Sequence, residues 1–256
     1  MTRVVVLGSG TSQGVPIIGC TCHTCTSDNP KDKRLRASVY VEADGVKILI
    51  DTSIDFRQQL LRANVTDLDG ILFTHHHVDH IFGLDDLRQI NQRYKKYVDV
   101  YGNTPTLDEI KLTFRYALDE RLQKYMAVPL MNFNYLENIE FEVKGVKIMP
   151  IEVMHGKIKI LGYRIGKFAY ITDASHIPDA EMEKLHGLDV LILNSLRHAA
   201  HPTHFNLKEA TEIAIMLKPK KAYFTHITHD LNNDEVNASL PENISLAYDG
   251  LEFTTD

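Results

Sequence analysis

The chain has only three cysteines in 256 residues, and Cys20, Cys22 and Cys25 all crowd into the stretch "GCTCHTC". Three thiols cannot all pair as disulfides, and a tetrahedral metal site built from them is one ligand short. Long apolar runs are missing too: none approaches the ~20 residues that a membrane span needs. The start, "MTRVVVLGSG", holds one arginine and a strand-like run too short for a signal peptide, with no cleavage site. The expected compartment is the cytoplasm, where clustered thiols bind metals more often than they oxidise. A basic excess is also lacking. The formal net charge of −6 argues against a partner such as long nucleic acid, which draws on a basic surface. It leaves a phosphate substrate open, because bound metal ions invert the charge of a local site. No stretch rich in proline, glycine or serine divides the chain, and 44% hydrophobic content is ample for a core.

Short runs rich in valine, isoleucine, tyrosine and phenylalanine read as strands at 3–8, 38–43, 46–51, 70–74, 146–153, 161–166, 168–173, 189–194 and 221–226. Helical periodicity appears at 54–62, 83–96, 106–117, 179–186 and 206–217. Asn206, with Glu209 three residues on, reads as the cap of the last of these. The alternation predicts one α/β domain over 1–256. Residues 118–139 have no clean period and read as a loop-rich insertion or lid. The two halves echo each other: "KILIDTS" resembles "FAYITDAS", and "GILFTHHHVDH" resembles "KAYFTHITHD". That echo suggests two similar sheets whose strand ends converge on one site.

The 13 histidines are the compositional oddity. The densest group is "THHHVDH", in which His75, His77, Asp79 and His80 follow an apolar strand. Extended backbone alternates its side chains, so His75 and His77 can point the same way. Asp79 and His80 follow in a turn and can reach a second position. Imidazole with carboxylate suits zinc, manganese or iron. Downstream, His155, Asp173 and His226 each close an apolar strand, where a side chain is held rigidly at a sheet edge. The run "VVVLGSGTSQGVP" invites a dinucleotide-binding reading. Gln13 stands where the third glycine belongs, however, and no helix follows. Its glycines read instead as a tight loop leading to the cysteines.

These motifs resemble the metallo-β-lactamase superfamily of hydrolases, in the same order and over nearly the whole chain. The resemblance implies a four-layer αββα sandwich with two divalent metals at one sheet edge. It gives His75, His77 and His155 to the first metal and Asp79, His80 and His226 to the second, with Asp173 bridging. Asp51 matches a position that orients ligands from behind. His204 resembles the catalytic-loop histidine of the phosphodiesterase branch. His201 competes for that part, and His204 is favoured by its distance to the following helix. The "GTS-x-G-x-P" start, the Cys-x-Cys-x-x-Cys loop and His229 look like the cyclic phosphodiesterases of the carbon–phosphorus lyase pathway. That likeness implies a separate structural zinc on Cys20, Cys22, Cys25 and His229, and a homodimer.

The expected activity is hydrolysis of a small phosphodiester, cyclic and phosphoribosyl- or nucleotide-like, by a hydroxide bridging two metals (zinc or manganese, with iron as a further choice). A transfer-RNA nuclease of this branch carries a long arm between the positions of His155 and Asp173. Only "GKIKILGYRIGKFAYIT" lies there, which lowers the reading as an RNA 3′-processing nuclease. A thioester or lactone hydrolase on the same scaffold is the non-phosphate alternative. The selective residues are expected in 118–139 and around 201–205, and the basic run "KDKRLR" at 31–36 is expected to face water.

Overall fold

A computed structural model describes the whole chain, Met1–Asp256. The strands of its N-terminal half are β1 (Thr2–Gly8), β2 (Ser38–Ala43), β3 (Val46–Ile50), β4 (Gly70–Leu72), β5 (Val98–Gly102), β6 (Met131–Tyr135) and β7 (Phe141–Val143). Those that follow are β8 (Val146–His155), β9 (Ile158–Ile165), β10 (Phe168–Ile171), β11 (Val190–Asn194), β12 (Lys221–Thr225), β13 (Ile244–Leu246) and β14 (Glu252–Thr255). They form two seven-stranded sheets, ordered β14-β1-β2-β3-β4-β5-β6 and β13-β12-β11-β10-β9-β8-β7.

Each strand divides its side chains between two buried surfaces. Val4, Val6, Ile48 and Ile50 face the space between the sheets, where they meet Tyr163, Tyr170 and Ile192. Their neighbours Val5, Leu7 and Leu49 face outward onto the helices Phe56–Arg62, Leu87–Tyr94 and Thr104–Thr113. In the second sheet Ala169, Ile171, Leu191 and Leu193 face the helix Leu207–Leu217. Burial on both faces is why the strands read as continuous apolar runs rather than alternating ones. The result is the expected four-layer αββα sandwich. Asn206 caps the helix Leu207–Leu217 as expected. Its side chain accepts the Glu209 N–H at 2.9 Å, and the Glu209 carboxylate accepts the Asn206 N–H at 2.9 Å. Such a cap contributes about 1 kcal/mol. No helix is long and apolar enough to cross a membrane.

Two expectations are corrected. Residues 118–139 are not an inserted lid throughout: Met131–Tyr135 is the edge strand β6, and Val128, Leu130 and Met131 are buried under it. The period was unreadable because the segment passes from a short helix at Glu120–Gln123 through a turn into a parallel strand. The run 31–36 does not simply face water either. The Arg34 guanidinium donates to the Asp32 carboxylate at 3.0 Å and to the carbonyls of Thr228 and Leu231 at 2.9 and 2.7 Å. Both side chains of this pair are completely buried. Asp32 in turn accepts from Asn232 Nδ2 and the Asn233 N–H, each at 2.9 Å. This network fastens the N-terminal loop to the segment that follows β12.

The same loop pairs directly with that segment. Thr11 N–H donates to Ile227 O at 3.1 Å, and Ile227 N–H donates to Ser9 O at 3.0 Å. On its other side Gly8 lets the chain approach the start of β2, since a Cβ there would stand 1.9 Å from the Arg36 carbonyl oxygen. The glycines thus serve backbone packing rather than a phosphate cradle.

Candidate metal centre

Parallel pairing of β3 with β4, and of β11 with both β10 and β12, brings their C-terminal ends to matching sheet edges. At three of these ends the chain turns through the left-handed region on a residue other than glycine. Asp51 follows β3 with φ 63°, Asp173 lies just beyond β10 with φ 59°, and His226 follows β12 with φ 55°. A strained backbone of this kind costs on the order of 1–3 kcal/mol and persists only where surrounding contacts over-determine it. The two sheets are tied together at the same edge. Leu161 N–H donates to Thr74 O at 3.0 Å, and Tyr163 Oη–H donates to Phe73 O at 2.7 Å. The echo between "KILIDTS" and "FAYITDAS" is therefore structural: both strands end in a left-handed aspartate beside one centre.

Hydrogen bonds behind the rings assign the tautomers. His80 Nδ1–H donates to Asp51 Oδ2 at 2.8 Å, because a carboxylate only accepts. Thr74 donates to the same carboxylate twice, from its N–H to Oδ1 and from its hydroxyl to Oδ2, each at 2.8 Å. The Thr74 hydroxyl has then used its proton, so it accepts from His75 Nδ1–H at 3.0 Å. His155 Nδ1–H is shared between the carbonyls of Asp173 and Thr203 at 2.7 and 2.8 Å. In their neutral form all three histidines therefore present Nε2 forward as an acceptor. His75 Nε2 and His80 Nε2 are buried with no hydrogen-bond partner. Orphaned acceptors of that kind, beside convergent carboxylates, are what a divalent cation satisfies.

The ligand atoms gather as two overlapping sets. Those of His75, His77 and His155 lie within 4.8 Å of one another, as do those of Asp79, His80 and His226. Asp173 lies between the sets. Its Oδ2 is 3.9 Å from His75 Nε2 and 3.3 Å from His226 Nε2, and its Oδ1 is 3.5 Å from His80 Nε2. Burial opposes charge on Asp173, but His226, His80 and His204 outweigh it and hold the carboxyl well below its usual range. Burial likewise opposes charge on His80, and Asp79, Asp173 and Asp51 overcome it to raise its pKa well above the ordinary value. Burial and the neighbouring His80 drive His75 the other way, well down. The fold's implied divalent metals therefore find a fitting set of donors.

His204 enters this centre and His201 does not. His204 Nε2 stands 3.2 Å from Asp173 Oδ2, and its ring stacks on His226 at 5.1 Å. His201 sits behind it, with its Nδ1 3.1 Å from His204 Nδ1. Burial lowers the His204 pKa to about 4 against the pull of Asp173. Asp51 is sealed behind the ligands at 0% exposure, so it positions His80 and Thr74 and touches no reacting group. Thr74 and Thr203 were missed by sequence reasoning. Each precedes a histidine of the site, but their bonds run to partners 23 and 48 residues away, which no local pattern signals.

The cysteine loop meets His229 across the molecule. Its Nδ1 lies 3.3 Å from Cys20 Sγ, 3.2 Å from Cys22 Sγ and 3.6 Å from Cys25 Sγ. A tetrahedral zinc with ordinary Zn–S and Zn–N bonds would separate sulfur from nitrogen by about 3.6 Å. His23, inside the loop, instead faces Glu235 Oε1 at 3.4 Å. A cavity of about 560 Å³ between the helices Phe56–Arg62 and Leu87–Tyr94 lies apart from both ligand clusters.

Comparison with known proteins agrees with this geometry. The profile of the beta-lactamase superfamily domain matches residues 46–227. The crystal structure of a new diphosphatase from the PhnP family superposes with a TM-score of 0.93 at 45% identity, covering 100% of this chain and 98% of that one. Zn(2+)-bound PqqB from Methylobacterium extorquens superposes with a TM-score of 0.74 at 21% identity, covering 99% of this chain and 100% of that one, and shares the fold. Among curated proteins, an octanoyltransferase of Porphyromonas gingivalis is 38% identical over 259 residues, which is 99% of this chain and 52% of that protein. This chain thus spans about half the length of that relative.

Proposed function

We propose that this chain, which belongs to the beta-lactamase superfamily and within it to the PhnP family, hydrolyses a small phosphodiester that is cyclic and phosphoribosyl- or nucleotide-like. Its coarser class, a metal-dependent hydrolase acting on phosphodiester bonds, accords with that membership. The observation that carries the finer reading is the histidine–aspartate centre with His204 at its rim, in a chain alike along its full length to a PhnP-family diphosphatase. That relative also favours a second substrate within the same chemistry, a linear substituted diphosphate.

In this reading His75, His77 and His155 hold one divalent ion, zinc or manganese, and Asp79, His80 and His226 hold the other, with Asp173 shared. Such ions supply Lewis acidity toward phosphoryl oxygens and bring a water's pKa near neutral. The chain's own groups do the rest. Asp51 fixes the tautomer of His80 directly and that of His75 through Thr74, so both donors face the centre before substrate arrives. His204 offers an N–H to a phosphoryl oxygen or a proton to the leaving alkoxide. We assign Cys20, Cys22, Cys25 and His229 to a structural zinc, supported by sulfur–nitrogen spacings close to those of a tetrahedral site. A cytoplasmic setting and a homodimer complete the reading, and light scattering checks the latter.

The test is a substrate panel on the metal-loaded protein: bis-p-nitrophenyl phosphate, a cyclic nucleotide, a substituted diphosphate, a transfer-RNA precursor and an octanoyl thioester. The thioester is included because of the octanoyltransferase relative. Turnover of the small phosphoesters is expected. Turnover of the thioester alone would reverse the reading, and preference for the RNA precursor would move it to the nuclease branch.

A further inference from the structure

A cavity of about 450 Å³ opens against the metal centre, between the turn that carries His77 and Asp79 and the helix Thr104–Thr113. That volume falls in the ~300–1,000 Å³ range of small-molecule sites. Any phosphoryl group seated between the ligand sets has this cavity beside it, because His77 and Asp79 line both. Its position is not where sequence reasoning placed selectivity, in 118–139 and around 201–205.

The two walls differ in chemistry. One is apolar and open: Val78 is 49% exposed and Phe82 47%. The Phe82 ring meets Phe114 edge-on at 6.2 Å, which holds it in place. The ring rests on Phe114 yet stays half exposed beside the polar centre, and its open side offers a stacking surface. The opposite wall carries Glu109 and Thr113. Glu109 takes one weak hydrogen bond, from the Thr113 hydroxyl at 3.5 Å, and leaves the rest of its acceptor capacity toward the cavity. No lysine or arginine lines the space.

We propose that this cavity seats a nucleoside attached to the scissile phosphorus, with its base against Phe82 and Val78 and its hydroxyl or amino donors on Glu109. This deepens the phosphodiesterase reading and rests on it. The charge pattern selects between the nucleotide-like and the phosphoribosyl substrates of that reading. A base and ribose bring donors and a π face without added charge. A sugar bearing a second phosphate sets that phosphate, remote from the metal ligands, against the Glu109 wall, which has a carboxylate and no lysine or arginine, and like charges at such range repel.

The test compares a cyclic nucleotide with a phosphoribosyl cyclic phosphate, which has no base, in the wild type, Phe82→Ala, Glu109→Gln and Glu109→Lys. Base stacking makes Phe82→Ala lower kcat/KM for the nucleotide roughly ten- to hundred-fold, with a much smaller change for the baseless sugar. Glu109→Gln weakens the nucleotide, and Glu109→Lys shifts preference toward the sugar with the second phosphate. Equal losses on both substrates from Phe82→Ala, or a wild type that prefers the baseless sugar, would overturn the proposal. If no phosphodiester is cleaved, the activity reading fails on its own. Calorimetric binding of AMP to the metal-loaded protein still reads the cavity. Binding weakened by Phe82→Ala supports it, and binding that is absent or indifferent to both positions rejects it.

Discussion

Asp51 and His80 lie 29 positions apart in the chain and 2.8 Å apart in the fold, both fully buried. The same carboxylate holds Thr74, and Thr74 holds His75. One aspartate behind the centre therefore sets the direction of two forward-facing nitrogens.

Removing that support loosens metal without emptying the fold. Asp51→Ala is expected to lower affinity for active-site metal by roughly 10–100-fold, and Asp51→Asn by less, since an amide oxygen can still accept one of the bonds. Chelator competition followed by metal analysis reads the affinity, and circular dichroism checks the fold. Unchanged metal retention in Asp51→Ala would contradict the positioning role.

His204 separates catalysis from ligation. His204→Ala is expected to keep full metal content and lose about 10²–10⁴-fold in kcat, while His201→Ala, one ring further back, has a milder effect. Loss of metal from His204→Ala would instead make it a ligand, a part its place with His155 and Asp173 also allows.

The cysteine cluster predicts a metal count. His229→Ala should lose one zinc per chain and lower the melting temperature, with the active-site metals retained. Elemental analysis beside thermal unfolding distinguishes the two pools.

The buried Asp32–Arg34 pair predicts a stability loss without chemistry. Asp32→Ala leaves the buried guanidinium its carbonyl partners but no counter-charge, which typically costs about 3–5 kcal/mol. Urea unfolding measures it. A loss below about 1 kcal/mol, the value of an exposed pair, would show that water reaches the guanidinium.

Acidity should compete with metal. In the metal-free protein the three carboxylates keep His80 protonated well above the ordinary value of 6.5. A ligand must be neutral, so metal competes with the His80 proton, and affinity climbs as pH rises through its folded pKa. For the metal-free fold the sign is opposite. The stabilisation from a raised histidine is complete below the unfolded value and is lost as pH rises through the folded one. Calorimetry in buffers of different ionisation enthalpy counts the released protons, and a count of zero would contradict the charged His80.

The candidate metal-binding side chains were legible because their signal is local. His75, His77, Asp79 and His80 follow one apolar strand within six residues, and His155, Asp173 and His226 each close another. Backbone alternation and strand-end rigidity act over a few residues, so they can be read along the chain. The capping box at Asn206 and Glu209 was legible for the same reason. Strands β5, β6, β7, β13 and β14 were not. They are short, and each is strand-like mainly because a neighbouring strand supplies its hydrogen bonds.

The sequence by itself determined the kind of chemistry: which donors are present, in what order, and on which strand ends. Tertiary structure alone decided who meets whom. It set Asp51 behind His80, Arg34 against the carbonyls of Thr228 and Leu231, and Phe82 across from Glu109. It also brought His229 to the cysteine loop over a separation of 209 residues. Such contacts depend on how two sheets pack and where their edges meet, and that packing energy is shared over the whole core rather than written at either partner.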